Sequence, residues 1–277
     1  GSRGESLIVY FCTQKKPKYR MVTVDRKSLI GIFAIFQIPL RHEASMDRTM
    51  KYLKRLIFGG LLSLMPISAL AGQQPVVLVE LFTSQGCSSC PPADELLQKL
   101  SKSPDVLPLA LHVDYWDYIG WKDVFADPAF TKRQKDYAKS HRAKSIYTPQ
   151  AVINGAQGIV GSDQMALMKS IMQEHENLAR IELDASFDGS GWRLDFINKD
   201  PNLRGKVEVL FVSYMDQADV KITTGENAGQ TLRYVNIVTD ITSLGAKVLG
   251  GDWKNFAKFP KNGHYAVILQ AAETGRV

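Results

Sequence analysis

A buried strand that leads into two closely spaced cysteines is the feature that most constrains the fold of this chain. Residues 75–82 are almost all β-branched or apolar, which is the pattern of a strand buried on both faces. A short loop then leads to Cys87-Ser-Ser-Cys90, and leucines recur at helical spacing at positions 96, 97 and 100. The sequence therefore predicts a strand, a loop and a helix, with both cysteines at the start of the helix.

Strands and helices alternate along the rest of the first half. Asp127-Pro128 is an N-cap followed by a first-turn proline, Asn154-Gly155 is a strong hairpin signal, and Asp163 caps a further helix. We expect the first two strands to pair in parallel through a right-handed crossover and the last two to pair antiparallel. The predicted order is β-α-β-α-β-β-α, with strands at 75–82, 107–113, 151–153 and 158–160.

The second half contains alternating segments and no long amphipathic helix. Residues 180–187 and 192–197 alternate on either side of a glycine-rich turn, which predicts a hairpin. Further strand candidates lie at 207–214, 232–241 and 265–272. We therefore predict an α/β fold class, with an α/β domain at 72–180 followed by an antiparallel β domain at 181–277 packed on it. The chain stops directly after an apolar strand, as a C-terminal truncation would leave it.

Residues 46–71 have the organisation of an export signal. Lys51, Lys54 and Arg55 precede sixteen residues without a charge, and the run ends in Ala69-Leu-Ala71. A basic segment, a short apolar core and a small-x-small site are typical of secretory signal peptides, whereas a membrane anchor needs about 20 apolar residues. The sequence predicts a periplasmic or secreted protein that begins near Gly72 and keeps no stable membrane anchor.

Residues 1–45 precede this signal and open with Gly-Ser rather than Met. We interpret them as upstream or cloning-derived sequence, with the true start at Met46 or Met50. We expect no packed structure there and no role for Cys12.

The formal net charge of +6 would favour a nucleic-acid partner if it were spread over the fold. Residues 1–71 contain 12 of the 34 lysines and arginines but 4 of the 28 acidic residues. The remainder of the chain therefore has 22 basic and 24 acidic side chains. With no basic patch left in the predicted fold, we predict no nucleic-acid partner.

Three functions fit the spacing of Cys87 and Cys90: a redox dithiol, half of a metal site, or a small structural disulfide. A structural zinc site needs four ligands, and the sequence has no second C-x-x-C and no H-x-x-x-H, so we predict no metal. His112 lies in a buried strand, which favours a hydrogen-bonded core residue over a ligand. A disulfide across so short a loop removes little entropy from the unfolded chain, so it stabilises weakly.

The redox interpretation has a physical basis in the helix start. A thiolate there faces unpaired backbone N–H groups and the positive end of the helix dipole, which lowers the thiol pKa. We assign Cys87 as the attacking thiol and Cys90 as the resolving thiol. Thr148 and Pro149 precede the third strand, and a cis proline there would offer backbone hydrogen bonds to an extended substrate. Taken alone, the proline favours an ordinary trans turn, because X–Pro bonds are mostly trans. Beside a Cys-x-x-Cys and a β-β-α ending, we predict that this bond is cis and that both residues bind substrate.

Several motifs together resemble a family of secreted bacterial proteins known as domain of unknown function 1223. They are Glu80-Leu-Phe-Thr-Ser-Gln-Gly-Cys-Ser-Ser-Cys-Pro-Pro-Ala-Asp94, His112-Val-Asp-Tyr-Trp-Asp-Tyr-Ile-Gly-Trp121, Tyr147-Thr-Pro-Gln150, Val152-Ile-Asn-Gly155 and residues 226–236. The Cys-x-x-Cys, the Thr-Pro and the closing β-β-α are also similar to the thioredoxin fold. The resemblance covers about residues 75–272 and implies a thioredoxin-like domain followed by a β extension, without a settled reaction. The intervening Ser88-Ser89 differs from the Gly-Pro of thioredoxin itself.

Four further residues are candidates for the site. Thioredoxins often place a buried acid below the dithiol as a proton acceptor, and the resemblance assigns that role to Glu80; a solvent-facing charge at a strand end is the alternative. Asp114, Tyr115 and Trp116 follow the second strand, on the edge of the sheet where ligands of parallel strands bind. We expect them to form a substrate groove, with packing against the β domain as the alternative.

We predict an exported thiol–disulfide oxidoreductase that acts on protein or small thiols and disulfides, with an unidentified redox partner and no bound cofactor. One alternative is a metallochaperone-like protein in which both thiolates bind Cu(I), with Met165, Met168 or Met172 as a further soft ligand. Another is a non-catalytic binding module with a structural disulfide. The redox interpretation requires that a polypeptide can approach Cys87.

Overall fold

A large mixed sheet flanked by helices organises the part of the chain that the structure describes. The structure is a computed structural model that describes residues 76–156, 158–178, 181–199 and 204–271, together with the backbone of strand β1 (Val9–Thr13). These residues form an eight-stranded sheet, a three-stranded sheet and three helices. The predicted α/β class is confirmed.

The elements of the first half follow the predicted order. Asp127 and Asp163 cap two of the helices, since their Oδ1 atoms accept hydrogen bonds from the N–H groups of Ala129 (2.7 Å) and Ala166 (3.0 Å). A single turn of 3₁₀ helix, Asp117–Ile119, follows the strand that ends at His112. The elements are β2 (Val77–Thr83), α1 (Pro91–Leu100), β3 (Val106–His112), α2 (Pro128–Ser140), β4 (Gln150–Ile153), β5 (Ile159–Val160) and α3 (Gln164–His175).

The second half consists of strands joined by turns. They are β6 (Ile181–Phe187), β7 (Trp192–Asn198), β8 (Gly205–Lys221), β9 (Thr231–Leu249), β10 (Trp253–Ala257) and β11 (His264–Ala271). β8 and β9 extend further than predicted. Their outer parts were not predicted because they are largely exposed and lack the apolar alternation that marks a half-buried strand. β10 was not predicted.

The strand order of the large sheet brings residues 84–90, the cysteine loop, to the end of β3. The order is β1-β11-β8-β9-β3-β2-β4-β5. β2 pairs with β3 in parallel and β4 pairs with β5 antiparallel, and both pairings confirm the prediction. β2 also pairs with β4 antiparallel, which joins the two predicted pairs. Thr83 at the end of β2 lies opposite His112 at the end of β3. The segments that leave both strands therefore meet at one edge of the sheet.

The second half continues this sheet. We predicted a β domain packed on the first domain, but β9 pairs in parallel with β3 at Ala110 and Ile237, and β8 and β11 extend the sheet beyond it. The outer edge of β3 would otherwise present unpaired backbone groups, and β9 supplies their partners. The hairpin of β8 and β9 is thereby fixed to the strand that borders the cysteine loop.

Apolar side chains fill three core regions. Because strand side chains alternate between faces, β2 packs Leu78 and Phe82 against α2 on one face and Val79 and Leu81 against α1 and α3 on the other. The third region lies between the three-stranded sheet and the second half of the large sheet, and it includes Leu183, Trp192, Leu194, Phe196, Val209, Phe211 and Val267.

Gly161, between β5 and α3, has no room for a side chain. An added Cβ would lie 2.6 Å from Leu81 Cδ1, 3.2 Å from Pro149 Cβ and 3.3 Å from Ala93 Cβ. We expect Gly161→Ala to lower the free energy of unfolding by about 1–3 kcal/mol, because overpacking displaces core side chains. Urea unfolding measures this loss. Gly250→Ala, whose Cβ would meet nothing within 4 Å, is the control, and equal stability of the two variants would contradict the prediction.

Most of the predicted leader lies outside the described residues, including all of the predicted signal peptide at 46–71. Residues Val9–Thr13 pair antiparallel with β11, whereas we expected no packed structure in residues 1–45. Cys12 belongs to this strand. Among the residues described, the structure contains no helix that is both long and apolar enough to cross a membrane.

Candidate functional site

Cys87 and Cys90 form a disulfide at the start of α1. Their Cα atoms are 5.4 Å apart, and Cys90 is the residue immediately before the first turn of the helix. The N–H of Cys87 donates to the carbonyl of Ser84 at 3.1 Å, and the N–H of Cys90 donates to the carbonyl of Cys87 at 3.2 Å. The pair therefore faces the positive end of the α1 dipole, as the sequence predicts.

Both cysteines are fully covered in this conformation. Each has 0% of its surface exposed, whereas Ser88 and Ser89 between them are exposed. Ser89 Oγ lies 3.4 Å from Cys87 Sγ. A polypeptide can reach the Cys87 sulfur only after the residues that cover it have moved.

Residues 147–149 (the proline loop) and residues 114–121 (the aromatic loop) meet next to the loop that leads to Cys87. The Thr148–Pro149 bond is cis, as predicted. Trp116 Nε1 donates to Thr148 Oγ1 at 2.7 Å, and the same tryptophan packs on the cysteine loop, since an added Cβ on Gly86 would lie 3.3 Å from Trp116 Cβ. Trp116 therefore connects two of the predicted site segments, which are far apart in the sequence.

Asp114 and Tyr115 are engaged with α2. Thr131 Oγ1 donates to Asp114 Oδ1 at 2.5 Å, and Tyr115 Oη donates to Gln134 Oε1 at 3.2 Å. Burial raises the pKa of Tyr115 to about 12, although hydrogen bonds with Gln134 and Thr148 act to lower it. These contacts are made with α2 and not with the β domain, against which the alternative expected the cluster to pack. Trp116 is the member of the predicted cluster that the structure places at the cysteine loop.

Glu80 is held in a buried ion pair on the α2 face of the sheet. Arg133 Nε donates to Glu80 Oε1 at 2.6 Å and its Nη2 donates to Oε2 at 3.1 Å, while Tyr137 Oη donates to Oε2 at 2.5 Å. The Glu80 side chain is 1% exposed. It alternates with Val79 and Leu81, which face α1, so Glu80 points away from the helix that carries the cysteines.

The acid that does lie on the α1 side is Asp94, which the sequence analysis did not single out. It is 5% exposed, its N–H donates to the carbonyl of Cys90 at 3.1 Å, and Thr83 Oγ1 donates to its Oδ2 at 3.2 Å. Burial raises the pKa of Asp94 to about 7, although the charge of His112 and the hydroxyl of Thr83 act to lower it. A carboxyl that titrates near neutrality one helical turn from Cys90 can accept or release a proton there.

His112 and Asp123 fix the loop ahead of Cys87. Asp123 Oδ2 lies 2.7 Å from His112 Nδ1 and accepts a hydrogen bond from the N–H of Gln85 at 2.8 Å. The ring of Tyr234 packs edge-on against the imidazole with centroids 4.7 Å apart. His112 is therefore a hydrogen-bonded core residue, as predicted, and its partner Asp123 was not foreseen because it lies in a loop without a motif.

Asn227 is the third residue that the sequence analysis missed, after Asp94 and Asp123. It lies in the turn between β8 and β9, is 2% exposed, and donates from Nδ2 to the carbonyls of Gln85 (2.9 Å) and Cys87 (3.0 Å). It belongs to the segment 226–236 that carries part of the family resemblance, and this was the available signal. The second half of the chain thus contributes directly to the disulfide site.

The structure keeps the methionines of α3 apart from the cysteines. Met165, Met168 and Met172 are 84%, 44% and 67% exposed, whereas Leu167 and Ile171 form the buried face of the same helix. The methionines face solvent while the disulfide is covered. Within the residues that the structure describes, no cluster of three or more His, Cys, Asp or Glu is arranged to hold a metal ion.

The disulfide site lies inside a segment with known relatives. Residues 78–270 match the family described as protein of unknown function (DUF1223). The chain belongs to this family. No curated protein matches the chain.

Two solved structures are similar to the chain. The crystal structure of protein AGR_C_4864 from Agrobacterium tumefaciens is 30% identical with a TM-score of 0.57, over 66% of this chain and 78% of that one. HBP35 of Porphyromonas gingivalis is 15% identical with a TM-score of 0.46, over 73% of this chain and 72% of that one.

Proposed function

We propose that this chain is an exported thiol–disulfide oxidoreductase that uses the Cys87–Cys90 pair. The observation that carries the proposal is a disulfide at the N-terminus of α1, with the buried carboxyl of Asp94 one turn along the same helix. Burial raises the pKa of this carboxyl to about 7. The helix start favours a thiolate on Cys87, and the acid provides a proton acceptor and donor for Cys90. The basic and apolar segment at 46–71 supports an oxidising compartment, in which such a pair can turn over.

The local topology supports the same proposal. The strand order β3-β2-β4-β5, with one parallel and two antiparallel pairings, α1 and α3 on one face and α2 on the other, is similar to the thioredoxin fold. In proteins of that fold, the dithiol follows the first strand and a cis proline precedes the third. Cys87 and the Thr148–Pro149 bond occupy these positions.

The exchange needs no oxidant or reductant other than the cysteine pair and two thiols of the substrate. A substrate thiolate attacks Cys87 Sγ, the Cys87–Cys90 bond breaks, and its electron pair leaves on Cys90, which takes a proton from Asp94. A second substrate thiolate then attacks the substrate sulfur of the mixed disulfide and releases Cys87, which takes up a proton. The substrate dithiol is oxidised and the cysteine pair is reduced; the reverse sequence reduces a substrate disulfide.

The role of Cys87 is tested by a single turnover with insulin, in which the chain is first reduced with a trialkylphosphine, freed of it, and mixed with insulin in the absence of any small thiol. We expect the reduced wild-type chain to convert insulin disulfides to thiols and Cys87→Ser to leave them intact, because the attacking sulfur is lost. Ser88→Ala, which changes an exposed neighbour, is the matched control and should retain the wild-type rate. Activity that survives in Cys87→Ser would remove this sulfur from the mechanism.

A structural disulfide is the second candidate, and the complete burial of both cysteines favours it. In that case the wild-type chain would show no insulin reduction, and Cys87→Ser would change only the free energy of unfolding. The change would be small, because the loop that the disulfide closes is short. Insulin reduction by the wild-type chain and the effect of Cys87→Ser on that reduction therefore distinguish the two candidates.

A further inference from the structure

The turn between β8 and β9, residues 222–230, is the part of the second half that reaches the disulfide. Most of its residues are exposed, but Asn227 is buried. The two hydrogen bonds from Asn227 Nδ2 end on the carbonyl oxygens of Gln85 and Cys87, on the loop that carries the attacking sulfur. An asparagine buried in an exposed turn is thus held there by the cysteine loop itself.

Two more contacts close the turn over this region. Thr224 Oγ1 donates to the carbonyl of Gly120 at 2.6 Å, and an added Cβ on Gly225 would lie 3.1 Å from Trp121 Cβ. Trp121 Nε1 in turn donates to Gln85 Oε1 at 2.8 Å. The turn, the aromatic loop and the cysteine loop therefore form one hydrogen-bonded set around the covered disulfide.

We propose that residues 222–230 form a latch over the disulfide and that Asn227 is the positioning residue that restricts the site to polypeptide substrates. The restriction to polypeptide substrates rests on the proposed oxidoreductase function, whereas the latch does not. An extended polypeptide brings backbone N–H groups that can donate to the carbonyls of Gln85 and Cys87 in place of Asn227, so the latch opens with its hydrogen bonds replaced. A small thiol brings no such donors and meets a covered sulfur.

Chemical reduction of the disulfide tests the latch without requiring any enzymatic activity. A water-soluble trialkylphosphine attacks one sulfur, the disulfide bond breaks, and water converts the phosphonium adduct into phosphine oxide and the second thiol. We expect Asn227→Ala and Asn227→Asp to be reduced about tenfold faster than wild type or more, because each lost hydrogen bond contributes roughly a factor of two to ten to the opening equilibrium. Asn227→Asp keeps the side-chain shape but loses both N–H donors.

Gln98→Ala is the matched control for a general loss of stability. Gln98 Nε2 donates to the carbonyl of Arg233 at 2.8 Å, so the variant loses a bond of the same kind between α1 and β9. It should be reduced at the wild-type rate, and thermal unfolding of every variant is recorded alongside. Wild-type rates in both Asn227 variants, or equal acceleration in Gln98→Ala, would overturn the latch.

The restriction to polypeptides is tested by reducing the oxidised chain with a cysteine-pair peptide and with 2-mercaptoethanesulfonate, a thiol without N–H groups. We expect the peptide to be faster on the wild type, and Asn227→Ala to narrow the ratio of the two rates by raising the rate with the sulfonate thiol. An unchanged ratio would overturn the choice of substrate. A chain that neither reagent reduces, but whose Asn227 variants still respond to phosphine, would contradict the proposed function while the latch itself stands.

Discussion

The free energy of unfolding is expected to fall by about 3 kcal/mol as the pH rises from about 4 to about 7, because Asp94 is held protonated in the folded protein. Burial raises its folded-state pKa from 3.8 to about 7. Between these values the folded state holds a proton that the unfolded state has released, so each pH unit lowers the stability by about 1.4 kcal/mol. The stability from this group is complete below the unfolded pKa and is lost as the pH rises through the folded pKa.

Asp94→Asn isolates this contribution. The amide cannot ionise, so we expect the variant to show a flatter dependence on pH and to be more stable than wild type at pH 8, by an amount on the order of 2–4 kcal/mol. Urea unfolding at pH values from 4.5 to about 8 measures both curves. Asp136→Asn, at an exposed carboxylate on α2, is the control and should leave the profile unchanged. A wild-type slope that persists in Asp94→Asn would assign the pH dependence to other groups.

Glu80→Gln is expected to lower the free energy of unfolding by about 3–5 kcal/mol at pH 7, because in a largely buried site it leaves the Arg133 guanidinium with only the weaker attraction of Glu208. The Arg133 side chain is 13% exposed, and it also donates to Tyr137 Oη at 2.7 Å and to Gln270 Oε1 at 3.0 Å. These neutral acceptors do not replace a carboxylate. Denaturant unfolding at pH 7 measures the loss.

Two comparisons separate the buried charge from a general effect of substitution. Replacing both partners together, Glu80→Leu with Arg133→Met, should lower the stability less than Glu80→Gln alone, because no unpaired charge remains. Asp136→Asn breaks the exposed pair with Lys132 and should change the stability by less than about 1 kcal/mol. A loss in Glu80→Gln no larger than in Asp136→Asn would show that the Glu80–Arg133 pair contributes little.

The assignment of the buried acid shows where inference from sequence failed. Glu80 was chosen because it precedes Cys87 near the end of a strand, but strand alternation directs it to the α2 face, where Arg133 neutralises it. Asp94 lies within the helix that follows Cys90 and looked like an ordinary acid in a first helical turn. Which acid is desolvated beside the disulfide depends on the packing of α1 against the ends of β2 and β3.

The order of elements in the first half and the position of the cysteines at a helix start follow from local signals. An apolar run, first-turn prolines and capping aspartates act on residues close in sequence, so one sequence is enough to predict them. The cis bond at Pro149 is predicted only in combination with the Cys-x-x-Cys and the β-β-α ending, because an X–Pro bond taken alone is usually trans. The contact between Asn227 and Cys87 joins residues 140 positions apart. It depends on the register of β8 with β9 and on the pairing of β9 with β3. Long-range pairing, which no short pattern encodes, therefore decided that Asn227 reaches the cysteine loop.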